Sequence, residues 1–255
     1  MTANDFPNDF PSGTPTGTLT GRRVVVLGGT SGVGLATAAL SAQHGADVVV
    51  VSRNPRSVER AQASLPPTAT AETADLADAA QVSALMERLG SFDHLVFTAG
   101  EPLELTPLDT LDVKAAREFF GLRYFGALSA VTAAIPHLRP GGSVVLTSGT
   151  AGQRSGPGWA VAASICGAVE SLTRAMAVEL APVRVNAVRL GMVRTPLWSH
   201  MQEEEREEMY AHIGRSLPTG RVGGAEEAAE AYLFLMNQRF ATGSVVTVDG
   251  GGLLV

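Results

Sequence analysis

An apolar strand that runs into a glycine turn and straight out into a helix leaves few architectures open, and residues 24–38, VVVLGGTSGVGLATA, have that form. Glycine at Gly28, Gly32 and Gly34 permits a tight turn and lets backbone approach a pyrophosphate, whose charge the N-terminus of the following helix favours. Val33 lies between the last two glycines, and Thr30 and Ser31 add hydroxyl donors to the same turn. With 28 glycines in the chain, such a cluster alone is a weak signal. The strand before it and the helix after it carry the inference to a bound dinucleotide.

The rest of the chain repeats that alternation. Short β-branched runs stand at 22–28, 47–52, 68–74, 94–99, 142–148, 183–188 and 244–249, separated by Ala- and Leu-rich stretches of helical length. Alternation of this kind implies an α/β fold with parallel strands and crossover helices. Asn54 before Pro55 predicts an N-cap with proline at the first helical position, and Asp78 with Gln81 predicts a capping box. Residues 1–20, rich in Pro, Thr, Gly and Asn without periodicity, are expected to form a mobile arm, with one domain over 21–255. The EEEREE run at 203–208 is expected to be the solvated face of a helix.

Composition narrows the partners. A net charge of −6 and a pI near 5.4 leave no excess of cations, so nucleic acid and anionic membrane surfaces are disfavoured and a small-molecule substrate is expected. No 18-residue apolar run and no secretory signal are read in the sequence, one cysteine forms no internal disulfide, and no metal-ligating cluster is present; a cytoplasmic protein is expected.

The end of the second strand bears on the choice of cofactor. An acidic residue there accepts from the ribose hydroxyls of NAD, but this chain has Ser52, Arg53 and Asn54. A guanidinium can pair with the 2′-phosphate of NADP through two charge-assisted hydrogen bonds, so NADP is the expected cofactor. The alternative for Arg53 is a solvated loop arginine. Asp75, followed by Leu76, can accept from an adenine amino group or cap a helix.

These segments, with FTAG at 97–100, RVNAVRLGMVRT at 184–195 and TGSVVTVDGG at 242–251, resemble the short-chain dehydrogenase/reductase family over about 230 residues. The resemblance implies a single-domain Rossmann fold with a seven-stranded doubly wound parallel sheet, a nicotinamide cofactor, and a homodimer or homotetramer. It implies Thr98, Ala99 and Gly100 on the adenosine side and Gly191, Val193 and Thr195 near the nicotinamide carboxamide. It also implies four catalytic positions, an Asn, a Ser, and a Tyr and Lys four apart. Those positions fall on Arg123, Gly149 (beside Ser148 and Thr150), Ala162 and Cys166. Two functions follow: an NADP(H)-dependent oxidoreductase with a non-standard site drawn from Arg123, Ser148 and Thr150, or an NADP(H)-binding protein without turnover. Arg123 can equally be a helix arginine in a surface or interface ion pair. Trp159, Leu197, Trp198 and Met201 are expected to form an apolar lining, Cys166 to be a buried small side chain, and His137 and His200 to be surface or cap residues.

Overall fold

Every residue of strand β1 (Arg23–Leu27) beyond the first is buried, and the four alternate between two cores. A computed structural model describes residues 18–103 and 105–255. In chain order it contains β1, α1 (Gly32–Gln43), β2 (Asp47–Ser52), α2 (Pro55–Ser64), β3 (Thr70–Thr73), α3 (Ala79–Leu89) and β4 (Phe92–Phe97). There follow α4 (Val113–Phe120), α5 (Ala127–Ala134), β5 (Leu138–Gly149), α6 (Ala160–Glu179), β6 (Arg184–Leu190), α7 (Glu203–Ser216), α8 (Ala225–Asn237) and β7 (Val245–Val248). Val25 and Leu27 pack with α3, α5 and α6, whereas Val24 and Val26 pack with α1 and α8. Apolar residues on both faces are what a parallel sheet covered on both sides requires.

The seven strands are all parallel, in the order β3-β2-β1-β4-β5-β6-β7. This is the doubly wound Rossmann arrangement in one domain. Because β1 has β2 on one side and β4 on the other, the order reverses there, and a crevice opens beyond the C-terminal ends of β1 and β4.

Local signals place the helices well. Asn54 caps α2, its side chain accepting from the Arg56 amide at 3.0 Å, with Pro55 in the first turn. Asp78 caps α3 through the amides of Ala80 and Gln81. The predicted capping box is only half made: Gln81 donates to the Asp78 carboxylate and accepts from the Asp75 amide, while the Asp78 amide is taken by the Asp75 carbonyl. Strand β5 starts at Leu138, four residues before the predicted 142. Arg139 is held by Asp93 at 2.8 Å, and pairing continues past a register shift to Phe92.

Two further expectations need revision. The arm expected over 1–20 falls mostly on residues 1–17, outside the described residues, but Thr18–Thr20 form a turn and Leu19, 1% exposed, is a core side chain. Two helical stretches do reach the length and apolarity of a membrane span, Val113–His137 with mean hydropathy 1.2 and Ala160–Glu179 with 1.3. Both pack on the sheet, their Ala130, Val131, Ala134, Ile165 and Val169 lying in the core shared with β1 and β4. The first is also not one regular helix, because Gly121–Gly126 form a π-helical turn between α4 and α5.

Candidate functional site

A cleft of about 670 Å³ occupies the crevice, and every candidate cofactor and catalytic residue named from the sequence lines it. Its floor at one end is the glycine turn. Gly28 has φ +86°, and a Cβ on it would meet the Ala99 amide at 2.5 Å. Gly34 is packed so closely on the Gly28 carbonyl and Thr98 Oγ1 that no side chain fits. Thr98 closes the turn, its amide donating to the Leu27 carbonyl at 2.8 Å and its hydroxyl lying 3.3 Å from the Gly28 carbonyl oxygen. Gly32 lies against Thr195 and Pro196, so the turn meets the segment after β6 across the cleft.

This end is a cradle for a phosphate-bearing ligand. Ser31 makes no side-chain bond to the first turn of α1, and that turn holds no acidic residue. The Thr30 and Ser31 hydroxyls have no hydrogen-bond partner among the described residues, and Val33, buried in the core, holds the turn down. Free amides and hydroxyls at a helix N-terminus fit an anion. Next to them Arg53 is exposed, lines the cleft, and makes no hydrogen bond or ion pair among the described residues. Ser52 is engaged weakly, by the Asn54 amide at 3.5 Å. Asp75 lines the adenosine end without capping a helix, a task Asp78 performs; its side chain accepts from the Ala77 amide at 3.0 Å. Leu76, buried, and Ala99 complete that wall.

Arg123 dominates the other end. It stands in the π-helical turn, and its guanidinium lies across Gly100 and 4.8 Å from the centre of the Phe119 ring. A Cβ on Gly100 would come within 2.5 Å of Arg123 Nη1, so the glycine there makes room for the cation. Nη2 donates to the Glu101 carbonyl, while Nε is buried without a partner. Burial lowers the Arg123 pKa, and the carboxylate of Glu101 offsets part of that. No ion pair forms at Arg123 among the described residues, which corrects the alternative of a surface pair within the chain.

The two hydroxyl candidates separate. Ser148 is buried and donates to Glu170 Oε1 at 3.0 Å, so its proton is committed away from the cleft. Thr150 begins a short 3-10 turn, and its hydroxyl has no partner among the described residues. Glu170, on α6, is itself buried and gripped by Arg189 of β6 at 2.8 and 2.7 Å. Burial raises the Glu170 pKa, but the bonds from Arg189 and Ser148 outweigh it and keep the carboxylate below its usual range. Burial pushes the Cys166 thiol up, which argues against a thiolate nucleophile. Gly149 and Gly152 both face Cys166 closely, so the thiol fills space where two side chains are absent.

Trp159, Leu197 and Trp198 form an apolar wall, the two indoles edge to face at 6.4 Å, with Ala162 and Leu103 packed behind. Met201 packs on the same cluster but does not line the cleft. Thr195 caps the short turn Pro196–Trp198, and Gly191 lies against Asp249 with no room for a side chain. Val193 is buried beside them. His200 is exposed and tilted on Trp198, and His137 lies 3.7 Å from Glu87, both outside the cleft.

Sequence reasoning missed Glu101, Glu170 and Arg189. Glu170 and Arg189 are 19 residues apart on different elements, with no local pattern to join them. Glu101 had a usable signal, an acid four residues after the end of β4 at the switch point, where α/β sheets bind ligands.

The chain matches the family described as enoyl-(acyl carrier protein) reductase over residues 28–252. The short-chain dehydrogenase/reductase fsr5 of Gibberella fujikuroi is 33% identical over 258 residues, covering 92% of this chain and 95% of its own. The chain belongs to the short-chain dehydrogenase/reductase family. Members of that family bind a nicotinamide cofactor, and the cradle at Gly28–Gly34 fits one. Among solved structures, a small-chain dehydrogenase in complex with NADPH is 35% identical with a TM-score of 0.82, over 92% of this chain and 99% of that one. The MalC reductase/Diels-Alderase of Malbranchea aurantiaca is 29% identical with a TM-score of 0.88, over 95% of this chain and 100% of that one.

Proposed function

We propose that the chain is an oxidoreductase that binds NADP(H) and acts on a small molecule, with Arg123 as the fixed cation that receives the substrate oxygen. The guanidinium lying across Gly100 inside the cleft, with Nε unpaired, carries this reading. In the pattern the family resemblance implies, Ala162 stands where the tyrosine belongs and Cys166 where the lysine belongs. Neither performs the proton exchange or supplies the ammonium. A cation held in a site screened from water stabilises a developing oxyanion without moving at the moment of reaction. Arg123 acts by charge and hydrogen bonding and not as an acid, because a guanidinium stays protonated.

The bound cofactor supplies hydride transfer. The first-turn amides of α1 with Thr30 and Ser31 would hold its diphosphate, and Arg53 with Ser52 its 2′-phosphate; the NADPH complex of a 35% identical relative supports this choice. Thr150 offers the one free hydroxyl of the three catalytic candidates. The likeness to a protein described as a reductase/Diels-Alderase supports looking for carbon–carbon bond formation among the products. Exposed Phe125, Ile135 and Val178 on the helices beside the site support a homodimer or homotetramer.

Cofactor titration with a turnover screen tests the proposal. NADPH should bind, simple ketones should turn over slowly because general acid–base catalysis worth about 10²–10⁴-fold is missing, and Arg123→Ala should abolish turnover while keeping NADPH affinity. An Arg123→Ala protein as active as its parent would overturn the role given to this arginine. NADPH binding with no turnover of any substrate would favour a second reading, a binding protein without catalysis, to which Ala162 and Cys166 point.

A further inference from the structure

Two buried side-chain atoms of the cleft residues have no partner among the described residues: Nε of Arg123 and Oε2 of Glu101. They do not satisfy one another. No ion pair joins the two side chains, and Arg123 bonds the Glu101 backbone carbonyl instead. A buried donor and a buried acceptor left open on two residues that a hydrogen bond holds together are unfavourable until a ligand fills them. Glu101 is also the only carboxylate on this half of the cleft among the described residues, since the other acid in the lining, Asp75, lies at the adenosine end and bonds the Ala77 amide.

The pair restricts the ligand by charge. An anion drawn to Arg123 is repelled by Glu101, and an ammonium drawn to Glu101 is repelled by Arg123. A plain ketone fills the donor and leaves the carboxylate oxygen open. A neutral group that presents an acceptor and a donor on adjacent atoms satisfies both and adds no net charge. Around it, Phe119, Trp159 and Trp198 offer ring faces and edges.

Resting on the oxidoreductase reading above, we propose that Glu101 and Arg123 together select a neutral ring-bearing α-hydroxy ketone, or the vicinal diol that is its reduced form. The carbonyl oxygen accepts from Arg123, and the neighbouring hydroxyl donates to Glu101 Oε2. Glu101 is thus the specificity-determining residue of the site.

Calorimetric titration of the NADP⁺-saturated protein with α-hydroxyacetophenone, acetophenone and mandelate tests this, with quenching of Trp159 and Trp198, the only two tryptophans in the chain, reporting that the ring enters the cleft. The hydroxyl should tighten binding over acetophenone by about tenfold or more, as a hydrogen bond to a charged group does. Mandelate should bind less tightly than α-hydroxyacetophenone. Glu101→Ala should erase the hydroxyl advantage; Glu101→Gln should keep part of it and strengthen mandelate, and decides the matter if the alanine variant fails to fold. A hydroxyl advantage absent from the parent, or surviving Glu101→Ala, overturns the inference, as does mandelate binding as tightly as α-hydroxyacetophenone. Arg123→Ala separates the two levels: acetophenone affinity that does not fall in that variant sinks the substrate-binding role given to Arg123 in the reading above, whereas a normal fall with no hydroxyl effect in the parent sinks only the role of Glu101.

Discussion

Arg53→Ala isolates the residue expected to choose between NADP and NAD. The side chain follows β2, is exposed at the cleft mouth, and gives up no existing partner on binding a phosphate. Two unit charges 4 Å apart interact by about 1 kcal/mol in water and about 4 kcal/mol at an effective dielectric near 20. Exposure places Arg53 toward the lower figure, and hydrogen bonds to a charged group contribute about 1.5–3 kcal/mol. A working value near 2 kcal/mol corresponds to about a thirtyfold loss of NADPH affinity. NADH affinity, with no 2′-phosphate to lose, should change by less than about twofold on the same arithmetic. Titration by nicotinamide fluorescence at low and high ionic strength reads both: the NADPH preference of the parent should shrink with salt, and the variant should show little salt dependence. Arg53→Lys should retain part of the preference, since an ammonium keeps the charge and loses the planar fork. Equal affinity of the parent for NADPH and NADH, or an equal loss of both on Arg53→Ala, would refute the assignment.

Gly100→Ala should behave as a functional copy of Arg123→Ala. The added methyl meets the mobile end of the arginine, so melting by circular dichroism should shift little while acetophenone affinity falls by about tenfold or more; unchanged affinity would mean the guanidinium works from elsewhere. His94 gives a pH prediction. Burial drives its pKa down to about 4 despite Asp93 beside it, and its Nδ1 lies 2.8 Å from Ser143 Oγ. An unfolded histidine titrates near 6.5, so as pH falls from there toward 4 the unfolded chain binds a proton that the folded chain refuses, and stability drops by about 3 kcal/mol in all. Urea melts at pH 7.5 and pH 5 should show about 2 kcal/mol of this loss in the parent and much less of it in His94→Asn; identical slopes in the two would discard His94 as the cause.

What the sequence made legible was local. The Gly28–Gly34 turn, the Asn54 cap and the apolar strand before the turn are each set by residues a few positions apart, and each appears as expected. The direction of Arg123 was not legible, because a π-helical turn changes the helical phase and nothing in GLRYFG announces it. Ser148 and Thr150 looked alike in sequence, and only Glu170, brought in from α6, commits one hydroxyl and leaves the other free. Glu101 stood one residue beyond the segment whose glycine drew attention, and its meaning depends on Arg123, 22 residues later.

The charges around Cys166 also constrain how such a site changes over generations. The thiol lies within electrostatic reach of both Arg123 and Arg189, and a single buried carboxylate, Glu170, balances the second of these. A lysine at 166 would bring a third cation into that space, so Cys166→Lys should lower the melting temperature more in this chain than in an Arg123→Asn background, a coupling that a double-mutant cycle measures. Replacing Arg123 first avoids the crowding but strips the cleft of its buried cation before any substitute is present. Either first step is penalised alone, and the two together remove the crowding of charge. A lineage that has taken this arrangement is therefore held in it by the order in which substitutions must arrive, whatever the merits of the alternative.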